Sequence, residues 1–569
     1  MIRIHPGLNL NSISFKQANV NIMAFSDNHG DLTTVPALYQ NFYDNKEDIF
    51  QKKEDKSTLN VMAVVGDWFM NPMQGGYQTL KDKTSGDYQE IFLKSFIRNV
   101  KNNIPGLKTL YTPGNHCLDG GDKVLINHIK NINMDTIISN ADLKNSKLIN
   151  GLTPEQKERI QECKVLEVQD DKNPDLKHKV LVVGILPINI NYLVKEDISS
   201  LNILGAKNVK EADLIDADSE EVSNSLSEIV NKFKNEYPKS AVMLMNHSGE
   251  PAAKAIAKRI DCIDLILNAH DHQDKISYVN NKSGFTTKII SLSQNSEKLE
   301  AVNLQFDDDG CLSVKSKPFH TDFSKIDKKN PLQRLYENIL KKDINPLFKI
   351  NDPKKREYLT ISNVRYANND LANFCTDSIY SQLKNSYPEL SAFFLASTTF
   401  RQNIPTSKTR DVINLDLIDL FKGISGSLSS VMVGEIQGND LLSYVNSNII
   451  DNLAAPSRNA INQYSGIQID RSGLKEYYST FARNQEPEMN EVSNYIKIKN
   501  ADGQYEYIDP DKKYVVALPK KIFAKTEQES LKKYQRDFVD TDKKVSEYFN
   551  DFLKNSPKEI DLTTEQRIL

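Results

Sequence analysis

At 569 residues, with 39% hydrophobic and 26% charged side chains, the chain has globular rather than disordered composition and length for two α/β domains. A net charge of −4 gives no overall attraction to nucleic acid or to an anionic membrane. The five cysteines are odd in number, scattered and never arranged as C-x-x-C, which fits reduced thiols better than a disulfide framework and gives no expectation of a cysteine zinc site.

The opening segment, MIRIHPGLNLNSISFKQ, lacks an apolar core of signal-peptide length, and no later segment approaches a membrane span, so the sequence read literally is cytoplasmic. Five apolar, β-branched runs then follow, each with the character of a buried strand and each ending in polar residues. VNIMAF leads into SDNHG with Asp27 and His29, LNVMAVV into Gly66 and Asp67, and KTLY into TPGNHCLD with Asn115, His116 and Asp119. AVMLM leads into NHSGE with His247, and IDLILN into AHDH with His270 and His272. Sites in open α/β sheets assemble beyond the carboxyl ends of strands, so these clusters can converge although they are distant in sequence.

Between the clusters, 41–58 and 215–236 are charge-rich and read as solvated helical or surface segments. KLEAVNLQFDDDG and CLSVKSK form a hairpin closing at Asp309 and Gly310. From Thr321 to about Lys355 the chain is rich in Lys and Asp, punctuated by three prolines, and carries LQRLYENILKKDI at helical spacing: a linker with a helix. RYANNDLANFCTDSIYSQL reads as a helix, FFLASTTFRQNI as a strand entering a polar loop, and NLDLIDLFKGISGSLSSVMVGEIQGNDLLSYV as helix, turn, strand and helix. The last 45 residues suggest one or two amphipathic helices.

Five of the nine histidines fall in the clusters. Carboxylate, amide oxygen and imidazole together suit Mn, Fe, Zn or Co, whereas an all-oxygen set favours Mg or Ca. Asp67 stands alone after its glycine and is the natural bridge between two ions, which could activate water and neutralise phosphoryl oxygens. Singly, SDNHG and NHSG read as turns with a solvated histidine and VVGD as a strand followed by a turn; it is the five in order that argue for a site.

In order and spacing, D-x-H, GD, GNH, NH and HDH resemble the calcineurin-type metallophosphoesterase signature, and the remainder of the chain resembles the 5'-nucleotidase family. The resemblance implies an α/β fold: a four-layer α+β metallophosphoesterase sandwich over 18–320, a helical linker over 321–358 and an α/β substrate-binding domain over 359–569. It implies two divalent metal ions, one held by Asp27, His29, Asp67 and His272, the other by Asp67, Asn115, His247 and His270, with His116 and Asp119 as the catalytic pair. The implied reaction is hydrolysis of nucleoside 5'-monophosphates by a metal-bridging hydroxide. A 2',3'-cyclic nucleotide phosphodiesterase, a UDP-sugar hydrolase and a non-catalytic binding protein stay open as alternatives. By position Arg401 would contact phosphate or ribose and Phe421 would lie near the base, with a core aromatic the equal reading for Phe421. The partner is a small phosphate ester or nucleotide, with neither nucleic acid nor membrane. The resemblance also implies export to the periplasm or cell surface, against the literal reading of the N-terminus.

Three positions depart from the family pattern. Cys117 and Ala269 stand where Glu and Gly are usual, making Cys117 a redox liability or a soft contact and Ala269 an added methyl at a close approach. AKTEQESLKKY replaces the glycine-rich aromatic loop expected to complete the base clamp.

Overall fold

The computed structural model describes residues 18–563 and Arg567, apart from 51–55, 71–84, 144, 147–148, 150–151, 195–196, 210–213, 215, 295–296, 308–311, 323, 343–346, 361–368, 397–398, 401–402, 407–410, 413–415, 418–419, 422–428, 455–461, 481–486, 521, 523–528 and 535. These residues divide into two compact units, one running to Glu337 and the other starting at Asn338.

The first unit is built on strands β1 (Ala18–Phe25), β2 (Thr58–Val65), β3 (Lys108–Thr112), β4 (Asp135–Ile137), β5 (Ile160–Gln161), β6 (Cys163–Gln169) and β7 (Lys177–Ile185). It continues with β8 (Ala241–Asn246), β9 (Leu265–Asn268), β10 (Lys275–Asn280), β11 (Thr286–Ser291), β12 (Lys298–Phe306) and β13 (Leu312–His320). They form two sheets, of order β13-β12-β1-β2-β3-β4-β5 and β10-β11-β9-β8-β7-β6. Strand alternation explains the stacking. Val20, Ile22 and Ala24 of β1 share one buried cluster with Val180, Val182, Met243 and Leu267 of the second sheet, so the sheets pack face to face. Phe25 points the other way and meets Phe96 of helix Ser85–Asn103 edge-on at 5.5 Å between ring centroids. The outer face of the second sheet is covered by helices Glu220–Glu236 and Gly249–Arg259, giving four layers. A parallel core of β1, β2 and β3, and another of β7, β8 and β9, run their carboxyl ends the same way within each sheet. The four-layer fold matches the expectation from the sequence, as does the antiparallel pairing of β12 with β13; the turn expected at Asp309 and Gly310 lies outside the described residues.

The second unit centres on a five-stranded mixed sheet. In chain order its strands are β14 (Lys349–Asn351), β15 (Tyr358–Leu359), β16 (Leu390–Leu395), β17 (Ile404–Pro405), β18 (Ser430–Gln437), β19 (Gln463–Ser465) and β20 (Ile467–Ile469). Then follow β21 (Ile496–Lys499), β22 (Tyr505–Tyr507), β23 (Lys513–Pro519), β24 (Val539–Lys544) and β25 (Glu559–Asp561), the main sheet having the order β19-β16-β23-β18-β24. Phe393 and Leu395 of β16 face helices Asp370–Ser386 and Val545–Asn555, while Phe394 faces helix Gly438–Ala454, so this unit is a three-layer α/β domain. One expectation is corrected here. The tail is not purely helical, because VDTDKK pairs as an edge strand with β18 before helix Val545–Asn555 begins. An open sheet edge offers a run of backbone partners that outweighs the weak local preference of Asp and Lys.

Candidate metal centre

Five strand ends in the first unit deliver the clustered residues. Asp27 and His29 follow β1, Asp67 follows β2, Asn115 and His116 follow β3, His247 follows β8, and His270 and His272 follow β9. The loops are sewn together by their backbones: His29 N–H donates to the Asp67 carbonyl at 2.7 Å and Asp27 N–H to the Gly66 carbonyl at 3.2 Å. Asp27, His29, Asp67, His270 and His272 all have positive φ, between 46° and 86°. Side chains with a Cβ avoid that region at a cost of about 1–2 kcal/mol each, so the backbone holds five strained residues where their side chains converge.

The convergence falls into three groups whose donor atoms lie within 4.8 Å of one another: Asp27, His29 and His272; His29, Asp67 and His116; Asp67, His247 and His270. Asp27 Oδ1 is buried without a hydrogen bond, yet the Nε2 atoms of His272, His247 and His29 stand 3.5, 3.8 and 3.9 Å from it. Asn115 Oδ1 is likewise buried with no hydrogen-bond partner. Buried acceptors left unpaired cost about 1–3 kcal/mol each, and imidazole nitrogens just beyond hydrogen-bond reach of one carboxylate oxygen are what a shared cation would reconcile. The donor set of two carboxylates, one amide oxygen and imidazoles fits a divalent transition metal.

Hydrogen bonds fix the tautomers. His247 Nδ1–H donates to the Val65 carbonyl at 2.9 Å, which orients Nε2 toward Asp67 Oδ2, also 2.9 Å away. Asp67 Oδ1 accepts from the His116 backbone N–H at 2.8 Å, and His116 Nδ1–H donates to Asp119 Oδ2 at 2.9 Å. Burial opposes charge on Asp27 and Asp67, but His247 and the other imidazoles outweigh it and hold both carboxyls far below the usual range. His247 is desolvated too, yet Asp67 and Asp27 lift it to about 9. Burial, reinforced by His247, drives His270 down to about 3, and burial together with His272 and His116 keeps His29 well below its ordinary value. Within one centre, then, some imidazoles are held neutral, the form that binds metal.

Two glycines show how closely these groups pack. A Cβ on Gly114 would lie 2.2 Å from Asp67 Oδ1, and one on Gly66, whose φ is +78°, 1.9 Å from His247 Nδ1. Cys117 is a soft contact, its thiol 3.8 Å from Asp67 Oδ1 and 2.9 Å from the Tyr111 hydroxyl. The redox expectation for it is corrected: burial first and Asp67 second push its pKa up to about 12, leaving almost no reactive thiolate. Ala269 is fully buried, its methyl part of the core between the two sheets.

Supporting residues had weaker signals in the sequence. Gln89 is buried, accepts from Met70 N–H at 3.1 Å and donates to the Met70 carbonyl at 2.9 Å, clamping the loop after Asp67; nothing in its helical surroundings marks it. Asn246 stands immediately before His247 and Asn268 two residues before His270, and they pair with each other, which the motifs contain without revealing. In the second unit Phe421 is fully buried, 6.1 Å from Phe400 and 5.1 Å from Phe549 between ring centroids. Its face is taken by core neighbours rather than open to a base, which corrects the expectation of stacking. Arg401 and most of AKTEQESLKKY lie outside the described residues.

The family model for calcineurin-like phosphoesterases matches residues 20–274, a span that contains every cluster just described. This part of the chain is similar to that family of phosphoester hydrolases, which use divalent metal ions. The fold is similar to that of a solved 5'-nucleotidase precursor from Thermus thermophilus, with a TM-score of 0.64 at 15% identity, covering 97% of this chain and 99% of that one. A putative 5'-nucleotidase from Staphylococcus aureus gives 0.58 at 15% identity over 97% and 99% of the two chains. A sulfate thiohydrolase from Thermus thermophilus gives 0.56 at 13%, over 97% and 96%. Comparison with curated proteins returns no match. Among the described residues, no helix is long and apolar enough to cross a membrane.

Proposed function

We propose that the chain hydrolyses phosphate monoesters, nucleoside 5'-monophosphates foremost, at a centre for two divalent metal ions. The supporting observation is the shared position of Asp67, whose carboxylate stands in one group with His29 and His116 and in another with His247 and His270. In this reading Asp27, His29, Asp67 and His272 hold one ion, and Asp67, Asn115, His247 and His270 the other. When bound, such ions supply Lewis acidity to the phosphoryl oxygens and lower the pKa of water.

The remaining work falls to the chain's own groups. Asp119 orients His116 through Nδ1, so the far nitrogen of the ring is presented outward and can stabilise or protonate the departing oxygen of the ester. The backbone N–H of His116 fixes Asp67 at the same time, tying the catalytic ring to the bridging carboxylate. Substrate selection we assign to residues 359–569, with 321–358 as the linker. The buried Phe421 weakens base stacking through that ring, so the class of ester is where the reading is most open to test.

The test is phosphate release by metal-stripped protein after adding back Mn, Zn, Mg or Ca, with AMP, a 2',3'-cyclic nucleotide, a UDP-sugar and an aryl phosphate side by side. Metal-dependent release preferring AMP supports the proposal. Preference for the cyclic or sugar substrate moves the assignment within the phosphoesterases, release from the aryl ester alone discards the nucleotide, and no release with any metal overturns catalysis.

A further inference from the structure

The loop that carries His270 and His272 raises a question the ligand assignment leaves open: what holds two successive histidine positions, separated by one residue, in left-handed conformations of φ 86° and 55°. Each such residue costs about 1–2 kcal/mol, and the geometry persists only where surrounding contacts over-determine it. Part of the restraint is backbone. Ala269 N–H donates to the Asn246 carbonyl at 2.9 Å, and Leu292 N–H to the Asn268 carbonyl at 2.8 Å, which continue the β8–β9–β11 ladder. These bonds end before the strained segment begins.

Beyond that point the anchors are side chains: His270 N–H donates to Asp27 Oδ2 at 3.3 Å, and the tether to the second sheet comes from the next residue. Asp271, between the two histidines, accepts from the backbone N–H of Glu250 on Oδ2 at 2.9 Å and from the Asn268 side-chain amide on Oδ1 at 3.2 Å. Glu250 is the second residue of helix Gly249–Arg259, whose first turn has no cap from its own Ser248. The carboxylate therefore supplies an acceptor where the helix needs one and where its dipole favours negative charge. Asn268 is itself immobilised, accepting from the Asn246 amide at 2.5 Å and donating to the Ser291 hydroxyl at 3.0 Å, all three being almost fully buried. Asn246, Asn268 and Ser291 are direct neighbours across β8, β9 and β11, so this polar row is as rigid as the sheet.

We propose that Asp271 is a positioning residue that sets the spacing of His270 and His272 and so governs divalent-metal affinity in both clusters at once. His272 belongs with Asp27 and His29, and His270 with Asp67 and His247. One carboxylate thus transmits the rigidity of the second sheet to both halves of the centre. The inference rests on the metal reading above.

The experiment titrates metal-stripped protein with Mn, following free Mn by its electron paramagnetic resonance, for the native chain, Asp271→Ala, Asn268→Ala, the double variant and His272→Ala. Thermal unfolding of each metal-free protein is recorded alongside. Asp271→Ala is expected to weaken both binding steps about 10- to 100-fold, the usual effect of losing a group that orients a ligand. The double variant should be no worse than the weaker single one, since both act through one tether. Excess Mn should restore hydrolysis in Asp271→Ala and not in His272→Ala. Metal affinity within twofold of native, whatever happens to the melting temperature, overturns the proposal and leaves Asp271 as a helix cap. Additive losses in the double variant overturn the shared tether. A native chain that binds no Mn overturns the metal reading itself, a distinct result. Should Asp271→Ala fail to fold, Asp271→Asn, which keeps the volume and one acceptor, carries the same measurements.

Discussion

Strand ends in the two units are used in opposite ways. In the first, β1, β2 and β9 end in left-handed Asp and His residues whose polar atoms point at one another, with Asp27 Oδ1 and the Asn115 amide oxygen buried and unpaired. In the second, the only described non-glycine residues with positive φ are Lys355 and Asp542, and polar groups beside the central sheet find partners: Asn462 donates to Tyr444, Tyr464 to Asn448, and Ser465 to Asp377. Strain and unsatisfied acceptors mark where binding energy is to be spent. By that measure the strand ends of the first unit are where a metal could be held, and the described strand ends of the second are packed for stability.

The contrast can be broken most decisively at Asp67. Asp67→Ala should remove both metal and activity, a loss above ~10⁴-fold that exceeds what one proton-transfer group supplies. Metal analysis and phosphate release on the same preparation check it, and retained turnover would sink the bridging assignment. Next in size, His116→Ala should lower turnover ~10²- to 10⁴-fold with metal content unchanged. Loss of metal in that variant would instead make His116 a ligand, as its place in a group with His29 and Asp67 permits.

In the second unit the corresponding change should behave differently. Phe421→Ala removes a fully buried ring between Phe400 and Phe549 and is expected to destabilise by about 3–5 kcal/mol, read by denaturant unfolding. The KM for AMP should stay unchanged at temperatures where the variant is folded. A rise in KM without loss of stability would return the ring to the substrate and erase the contrast. Gln89→Leu sharpens the other side: it strands the Met70 N–H and C=O and should cost about 1–3 kcal/mol, with metal affinity falling alongside.

What could be read beforehand follows the same division. The Asp and His cluster was legible because its members follow strand ends, so an apolar run marks the geometry and the polar residue after it marks the candidate site. Gln89 was not, since its partner is backbone 19 residues away and its helix carries no distinguishing pattern. The left-handed backbone at Asp27 and His272 leaves no trace in residue type, which glycine would have provided. Phe421 was ambiguous because helix-face aromatics look alike whether they pack or bind, and β24 was missed because an edge strand recruited by β18 owes its form to its neighbour.

The smallest effect tests the first unit away from its centre. Asp264, just before β9, donates no charge to the metal cluster; its Oδ2 accepts from Val242 N–H at 2.8 Å at the opposite end of the strand from His270. Burial raises its pKa from 3.8 to about 6, with Lys234 offsetting part of the rise. Between these values the folded state binds the proton more tightly than the unfolded chain, so stability falls as pH rises from about 4 to about 6 and stays reduced above. Asp264→Asn keeps an oxygen for Val242 and removes the charge. It should therefore stabilise β8 and β9 by about 1–2 kcal/mol at pH 8, less than the ~3 kcal/mol that a two-unit shift would carry in a wholly enclosed group, and make no difference below pH ~4. Hydrogen exchange of the β8 and β9 amides at the two pH values separates this from a general change in folding. Equal protection in variant and native at both would mean that water reaches Asp264, and that burial of charge in this unit is confined to the metal centre.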